Sequence, residues 1–150
     1  MEIERKFLVE TPLKGYETYP CEAIEQAYLC AEPVVRVRKK GTRYWLTCKG
    51  KGLLRREEFE LPLDEKAYLH LLQKADGAVL TKVRYRIPLG AYTIELDVFS
   101  GKLAPLMLAE VEFPTEEEAL RFTPPQWFGR EVTFDPAYCN VNLSQIPDET

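Results

Sequence analysis

The chain has 150 residues and 45% of them are apolar, which is enough for one globular domain over residues 1–150 with a substantial core. Lys and Arg total 20 against 24 Asp and Glu, and the net charge of −4 argues against binding of nucleic acid through a broad basic surface. No apolar run reaches the length of a membrane span, and we expect no signal peptide, because charged residues begin at position 2.

The cysteine and histidine content excludes several kinds of site. The four cysteines form neither a Cys-x-x-Cys pair nor a dense disulfide framework, so we expect a reduced, cytoplasmic protein. The single histidine, His70, falls in a segment with a helical pattern, and we interpret it as a surface or packing residue. A histidine-based catalytic triad and a zinc site are therefore not expected.

Alternating polar and apolar residues predict strands along most of the chain. The first covers residues 2–9, and seven more cover residues 24–29, 34–39, 44–49, 54–61, 80–88, 92–99 and 106–113. A helix is predicted over residues 64–75, capped by Asp64 and ended by Asp76-Gly77. Thr115 opens a second, short helix, and Asp135-Pro136 opens a last helical turn or two that run to Leu143.

The first strand carries an unusual order of charges. Glu2, Glu4 and Lys6 share one face, opposite Ile3 and two further residues of the other face. Neighbouring carboxylates oppose each other's ionisation unless a cation lies between them, and oxygen ligands suit a hard divalent ion such as Mg²⁺. The alternative for this strand alone is an ordinary amphipathic strand with a solvated charged face.

The same charged face recurs on the other strands. Its cations and anions are equal in number and lie opposite Ile, Val, Phe, Leu, Trp and Tyr: Lys6, Arg36, Arg38, Lys49, Arg56, Lys82, Arg84 and Arg86 against Glu2, Glu4, Glu58, Glu60, Glu95, Asp97, Glu110 and Glu112. We infer an inside-out sheet, with apolar side chains outward under helices and charged side chains around a water-filled cavity. A polyphosphate with divalent cations would compensate both sets of charges.

These residues form an ordered set of short motifs that resembles the CYTH-type triphosphate tunnel metalloenzymes, in particular their short bacterial members. The matching stretches are Glu2-x-Glu4-x-Lys6, Arg36-x-Arg38, Thr47-x-Lys49-Gly50, Arg56-x-Glu58-x-Glu60, Lys82-x-Arg84-Tyr85, Glu95-x-Asp97-x-Phe99, Ala109-Glu110-x-Glu112, Trp127-Phe128-Gly129-x-Glu131-Val132-Thr133 and Tyr138-x-Asn140. The resemblance covers nearly the whole chain. It implies an α+β fold, in which a closed, eight-stranded antiparallel β-barrel encloses a charged tunnel and a few helices pack outside. It also implies hydrolysis of triphosphate compounds that depends on Mg²⁺ or Mn²⁺. Ala104-Pro105-Leu106 departs from the pattern, in which glycine precedes the leucine.

Within this resemblance we assign a role to each group of charged residues. The metal site is predicted at Glu2, Glu4 and Glu112, with Glu110 and Asp97 nearby to support these ligands or to hold a second metal ion. It requires the first and last long strands to be neighbours. The alternative is that these acids only balance the arginines. The substrate-binding residues are predicted to be Lys6, Arg36, Arg38, Lys49, Arg56, Lys82 and Arg84, and the remaining tunnel acids are Glu58, Glu60 and Glu95. Arg86 lies at a strand end and could face solvent.

Two lysines are candidates for a catalytic role. Lys82 lies two residues from Arg84, whose charge disfavours protonation of the lysine, so we predict Lys82 as the general base. Lys6 follows two carboxylates that favour its protonated form and suit it to holding phosphate. The alternatives are that Lys82 is one more phosphate contact and that the attacking water binds a second metal ion.

The predicted function is hydrolysis of a small-molecule triphosphate, with inorganic tripolyphosphate giving pyrophosphate and phosphate as the first choice. A module that binds triphosphate or polyphosphate without turnover is the alternative from another class. Thiamine triphosphate and ATP stay open as substrates. Adenylate cyclase activity is disfavoured. The cyclases of the family carry a His-Phe pair ahead of the first motif, and this sequence has no such pair before Glu2. We expect no nucleic-acid or membrane partner, and a homodimer is an open possibility.

Overall fold

The computed structural model describes residues 1–144, and its main feature is one antiparallel sheet of nine strands. The strands are β1 (Glu2–Leu8), β2 (Cys21–Cys30), β3 (Val34–Lys40), β4 (Arg43–Lys49), β5 (Arg55–Arg56), β6 (Glu58–Leu63), β7 (Asp76–Leu89), β8 (Tyr92–Phe99) and β9 (Met107–Glu112). The helices are α1 (Glu65–Leu72), α2 (Glu116–Arg121) and α3 (Asn140–Leu143), and 3₁₀ turns cover Tyr16–Thr18, Gly101–Leu103 and Pro136–Tyr138.

The strands follow one another around a nearly closed barrel in the order β5-β1-β9-β8-β7-β2-β3-β4-β6. The two ends of this order, β5 and β6, are separated in the chain by Glu57 alone. They are two parts of the single strand predicted over residues 54–61, and the chain itself joins the ends of the sheet. The division occurs where the Glu57 carbonyl accepts a hydrogen bond from the Gly50 amide (2.9 Å). The predicted barrel is confirmed, with nine strands in place of eight for this reason.

Helix α1 covers the outer face of β3 and β4. Tyr68 of α1 is buried against Ala27 and Val37, and its hydroxyl donates a hydrogen bond to Glu25 (2.7 Å). Asp64 caps the helix as predicted, by accepting a hydrogen bond from the Ala67 amide. The predicted end was wrong, because α1 stops at Leu72 and residues 76–79 extend β7. This segment belongs to the sheet because it pairs with β2. No helix in the described part of the chain is long and apolar enough to cross a membrane.

The largest core lies on the outside of β1, β8 and β9, under α2 and the segment that follows it. Phe113, Ala119 and Phe122 pack there. Thr115 caps α2 as predicted, through a hydrogen bond from the Glu118 amide. Arg5 reaches into this layer from β1 with its guanidinium and ties the C-terminal part of the chain to the barrel.

A second core closes one end of the barrel. Tyr28, Leu80, Phe99 and Leu108 pack there against residues that include Val132 and Leu143. The predicted last helical turns are present, as a 3₁₀ turn capped by Asp135 and then α3. Residues 145–150 of the predicted single domain lie outside the described residues.

Candidate active site in the barrel interior

The barrel encloses a cavity of about 900 Å³. The cavity is lined by every predicted site residue except Lys82 and Asp97, namely Glu2, Glu4, Lys6, Arg36, Arg38, Lys49, Arg56, Glu58, Glu60, Arg84, Glu95, Glu110 and Glu112. They come together because alternate residues of a strand point to the same face, and this face of each strand turns inward. The fold thus gathers charges from the whole length of the sequence into one volume.

The first and last long strands are neighbours, as the predicted metal site requires. In the pairing of β1 with β9, Glu4 lies opposite Glu112 and Lys6 lies opposite Glu110. The ammonium of Lys6 is 3.6 Å from the Glu110 carboxylate. Like charges directly across a sheet destabilise it, so the pair of Glu4 and Glu112 has an energetic cost that Lys6 and Glu110 avoid.

The carboxylates of Glu4 and Glu112 lack sufficient positive charge around them. Burial, together with Glu110 and Glu2, raises the pKa of Glu4 to about 8. Burial, followed by Glu2 and Glu95, also raises the pKa of Glu112. Among residues 1–144, no hydrogen bond or ion pair reaches the Glu4 carboxylate. Oxygen donors in such surroundings fit a hard divalent cation, which would lower these pKa values.

Glu2 and Glu58 form the other end of this acidic group. Burial alone would raise the pKa of Glu2, but Lys49 and Arg56 hold it below its ordinary value, at distances of 3.0 and 3.3 Å. Burial and a hydrogen bond to Glu2 raise the pKa of Glu58 to about 7. Of these two carboxyl groups, Glu58 therefore favours its protonated form and Glu2 its ionised form.

Across residues 1–144, acidic side chains such as Glu110 form ion pairs with cations of the barrel, and the acids do not converge on one point where a metal ion could bind. Burial opposes ionisation of Glu110, but Lys6 and Arg84 hold its pKa well below its usual range. No group of three Asp, Glu, His or Cys side chains in residues 1–144 is arranged to hold a metal ion. The oxygen donors thus fit a divalent cation. In this structure Glu2 pairs instead with Lys49 and Arg56, and Glu110 pairs with Lys6 and Arg84.

Arg36 and Arg38 are the buried cations with the least compensation. Arg36 is 4% exposed and Arg38 is 8% exposed, and within the described chain neither forms an ion pair. The Nε atom of Arg36 is buried without a hydrogen-bond partner, while its Nη2 donates to Thr47 (3.2 Å). Burial, with Arg36 and Arg84 nearby, lowers the pKa of Arg38 to about 9. Buried guanidinium groups of this kind call for an anionic ligand with several acceptor oxygens.

Arg84 differs from these two arginines because it is fully paired. Its Nε and Nη2 atoms donate to the two oxygens of Asp97 (2.7 and 2.9 Å), and its Nη1 donates to Glu95 (3.1 Å). Arg84 lines the cavity and Asp97 does not. Asp97 therefore holds Arg84 in position from outside the cavity lining.

Lys82 is buried outside the cavity lining, where its ammonium donates to Asp97 (2.7 Å). Burial, with repulsion from Arg84 and Arg38, lowers the pKa of Lys82 to about 7 against the attraction of Asp97. Lys6 shows the opposite shift, because Glu110 and Glu4 raise its pKa although burial opposes this. The two directions agree with those expected from the sequence.

A smaller cavity of about 240 Å³ adjoins the first, and Arg38 and Glu60 line both. Trp45 lies in this second cavity, so its assignment to the outer, apolar face was wrong. It shares the parity of Thr47 and Lys49 along β4, which was the signal that places it inside. Arg86 also lies there, outside the main cavity, with its guanidinium 3.3 Å from Glu22.

Gln26 and Tyr28 are interior residues that were not predicted, because the prediction considered only acidic and basic side chains. Both are buried, and Tyr28 lines the main cavity. Their positions two residues apart on β2 are the signal that places them on one face. Gln26 lies opposite Arg38 in the pairing of β2 with β3.

The structure is thus an antiparallel β-barrel whose interior cavity is lined by acidic side chains and buried arginines. The sequence profile of the CYTH domain matches residues 1–132, and the chain belongs to the CYTH domain family.

Two proteins with similar sequences are named inorganic triphosphatase. The one from Nitrosomonas europaea is 43% identical, and the match covers 95% of this chain and 96% of that protein. The one from Acetivibrio thermocellus is 36% identical, over 97% of this chain and 94% of that protein. The crystal structure of the inorganic triphosphatase NE1496 superposes with a TM-score of 0.73 at 38% identity, over 99% of this chain and 97% of that one.

Proposed function

We propose that this chain is a metal-dependent inorganic triphosphatase that hydrolyses tripolyphosphate to pyrophosphate and phosphate. The observation that carries the proposal is the pair of buried arginines without a carboxylate partner, Arg36 and Arg38, in the same cavity as the undercompensated acids Glu4 and Glu112. Two relatives at 43% and 36% identity bear the name of that activity. A cytoplasmic location completes the proposal, and the four cysteines are free, as it requires.

In this proposal the arginines and lysines of the cavity bind the phosphate chain. Nε of Arg36 has no protein partner, while Nε and Nη2 of Arg38 donate to Gln26 and leave its Nη1 for a ligand. Guanidinium groups can pair their N–H donors with phosphate oxygens. Lys49 and Arg56 now share Glu2, so an anionic ligand would compete with that carboxylate for them. Lys6, Lys82 and Arg84 complete the predicted set.

Glu2, Glu4 and Glu112 would hold the divalent cation, Mg²⁺ or Mn²⁺. When bound there, such a cation would supply positive charge and Lewis acidity for phosphoryl transfer. Glu110 and Asp97 would support the site from their ion pairs with Lys6 and Arg84. The release of Glu2 from Lys49 would then free a cation for the substrate as well.

Lys82 is the proposed general base. A lysine with a pKa of about 7 is partly neutral at physiological pH and can accept a proton from water. Asp97 accepts a hydrogen bond from its ammonium and so fixes its position. Because Lys82 lies outside the cavity lining, a triphosphate-binding module without turnover is the second candidate function.

A phosphate-release assay separates the two candidates. Tripolyphosphate, ATP and thiamine triphosphate are supplied with Mg²⁺, with Mn²⁺ and with chelator, and we expect release from tripolyphosphate that requires the metal. Glu4→Gln should abolish it and leave the fold intact. Glu117→Gln is the matched control, since Glu117 is exposed on α2 and pairs with Arg121. Calorimetric binding of tripolyphosphate without any release would establish the binding module, and a wild-type rate in Glu4→Gln at limiting Mg²⁺ would refute the metal assignment.

A further inference from the structure

Gln26 makes a set of hydrogen bonds that connects it to a substrate-binding arginine. The residue lies on β2 with no exposed surface. Its amide oxygen accepts hydrogen bonds from Nε and Nη2 of Arg38, at 2.9 and 2.7 Å. Its amide nitrogen donates to the hydroxyl of Tyr28, at 3.1 Å. Each polar atom of this buried amide thus has a protein partner.

The same two guanidinium atoms have a different partner in Arg84. Nε and Nη2 of Arg84 donate to the carboxylate of Asp97, which neutralises the guanidinium. In Arg38 the acceptor in that place is a neutral amide, which orients the guanidinium and leaves its charge. A carboxylate would be the usual acceptor for two parallel N–H groups, so the amide at position 26 has a specific electrostatic effect.

Arg38 determines which way the amide of Gln26 points, and Tyr28 satisfies the other end. An amide can present either its oxygen or its NH₂ group to a neighbour, and only the oxygen can accept from Arg38. Because the guanidinium has only donors, the oxygen faces Arg38, and the hydroxyl of Tyr28 accepts the hydrogen bond from the NH₂ group. Tyr28 itself pairs with Arg36 across β2 and β3, as Gln26 does with Arg38.

We propose that Gln26 is a positioning residue that holds the Arg38 guanidinium in one orientation and leaves its full positive charge for the substrate phosphate. This inference deepens the proposed function and rests on it. Arg38 lines both cavities of the barrel, so its orientation and charge act where the two cavities meet.

The test is a change of charge at constant shape. Gln26→Glu keeps the size of the side chain but supplies a carboxylate that would neutralise Arg38, as Asp97 does for Arg84. We expect KM for tripolyphosphate, and its Kd measured by calorimetry in chelator, to rise about tenfold or more, with a much smaller change in kcat. Gln26→Met removes the acceptor without adding charge and should raise both values less. Gln73→Glu makes the same chemical change on an exposed residue after α1 and should leave both unchanged.

A double-mutant cycle separates positioning from a general structural effect. In an Arg38→Met background, Gln26→Met should change Kd little, because the group it acts on is gone. An unchanged Kd in Gln26→Glu, or an equal rise in Gln26→Met with and without Arg38, would overturn the proposal. If Gln26→Glu does not fold, the cycle with Gln26→Met decides by the same criterion.

The calorimetric measurement also keeps this inference distinct from the proposed activity. Binding of tripolyphosphate without turnover would refute the triphosphatase function, while the effect of Gln26 on Kd would still be measured. A wild-type protein that binds no tripolyphosphate would overturn both.

Discussion

Glu4 of β1 and Glu112 of β9 face each other directly across the sheet inside the barrel, and both carboxyl groups have raised pKa values. Two ionised carboxylates in this position would repel each other, and Lys49 and Lys6 compensate Glu4 only in part. In the absence of a divalent cation the protein therefore stabilises the protonated form of Glu4. This arrangement links the proposed metal site to the pH dependence of stability.

The first prediction concerns stability in the presence of chelator. The pKa of Glu4 is raised from its ordinary 4.5 to about 8, so the folded state keeps a proton that the unfolded state releases in this interval. The contribution of this protonated carboxyl to stability is present below pH 4.5 and is lost as the pH rises through 8. Glu4→Gln removes the effect, so the variant should exceed the wild type in free energy of unfolding by a few kcal/mol at pH 8, on the order given by linkage.

Urea unfolding at several pH values between 5 and 8 checks this prediction. Glu58 and Glu112 shift stability in the same direction, and they are present in both proteins. Lys82, with its pKa lowered to about 7, shifts stability in the opposite direction above pH 7 and is also common to both. The difference between the two proteins thus isolates Glu4, and a difference that stays constant with pH would contradict its raised pKa.

The second prediction concerns Arg5, which acts on stability and not on the site. Two of its nitrogens donate to Glu131, at 2.9 and 2.7 Å, and a third donates to the carbonyls of Ala119 and Phe122. Arg5→Ala removes these hydrogen bonds and leaves the part-buried Glu131 carboxylate with Thr133 as its remaining donor, so it should lower the free energy of unfolding by about 2–3 kcal/mol. The activity per folded molecule should be retained.

A matched control for Arg5 is available on the neighbouring strand β5. Arg55 is 3.5 Å from Glu116, and both side chains are about half exposed. Arg55→Ala should therefore cost less than about 1 kcal/mol. Equal losses in the two variants, measured by urea unfolding, would mean that the contacts of Arg5 contribute no more than an ordinary surface ion pair.

Much of the fold and of the site was predictable because strand alternation is local. The parity of each residue along its strand determines which face it occupies, and this was enough to collect the cations and acids of the cavity. Parity does not determine which neighbour a side chain meets across the sheet, since that depends on strand order and register. Parity placed Asp97 near the predicted metal site but did not show that its register sets it opposite Arg84, to which it is hydrogen-bonded.

The features that escaped prediction depend on contacts between distant residues or on uncharged groups. The interruption at Glu57 arises where its carbonyl binds the Gly50 amide, which no local pattern signals. The predicted end of α1 was too late because the residues from Asp76 onward pair with β2, which lies far away in the sequence. Gln26 was not predicted because its side chain carries no charge, and its effect on Arg38 appears only in the hydrogen bonds between β2 and β3.

The third prediction concerns Arg38 as a phosphate-binding residue. Arg38 has no ion pair within the described chain, so its charge is available to the substrate. Arg38→Ala should raise KM for tripolyphosphate by about 10- to 100-fold, the equivalent of one charge-assisted hydrogen bond. The effect should be smaller for shorter phosphate chains. Arg86→Ala is the control, because Arg86 pairs with Glu22 outside the main cavity, and an unchanged KM in Arg38→Ala would refute the role.

The last prediction concerns the activation of water. Lys82 has a pKa lowered to about 7, so a mechanism in which it is the general base requires kcat to rise as the pH increases through 7 and to reach its maximum at alkaline pH. Lys82→Arg keeps the positive charge but cannot lose a proton, so kcat should collapse. Lys6→Arg should lose less, because the pKa of Lys6 is raised and its proposed task is to hold phosphate. The attraction of Asp97 raises the pKa of Lys82, so Asp97→Asn should move the rising limb of the profile to lower pH. These profiles are measured as kcat against pH at saturating tripolyphosphate. If Lys82→Arg retains most of its kcat with an unshifted profile, Lys82 only holds charge near the substrate and is not the general base.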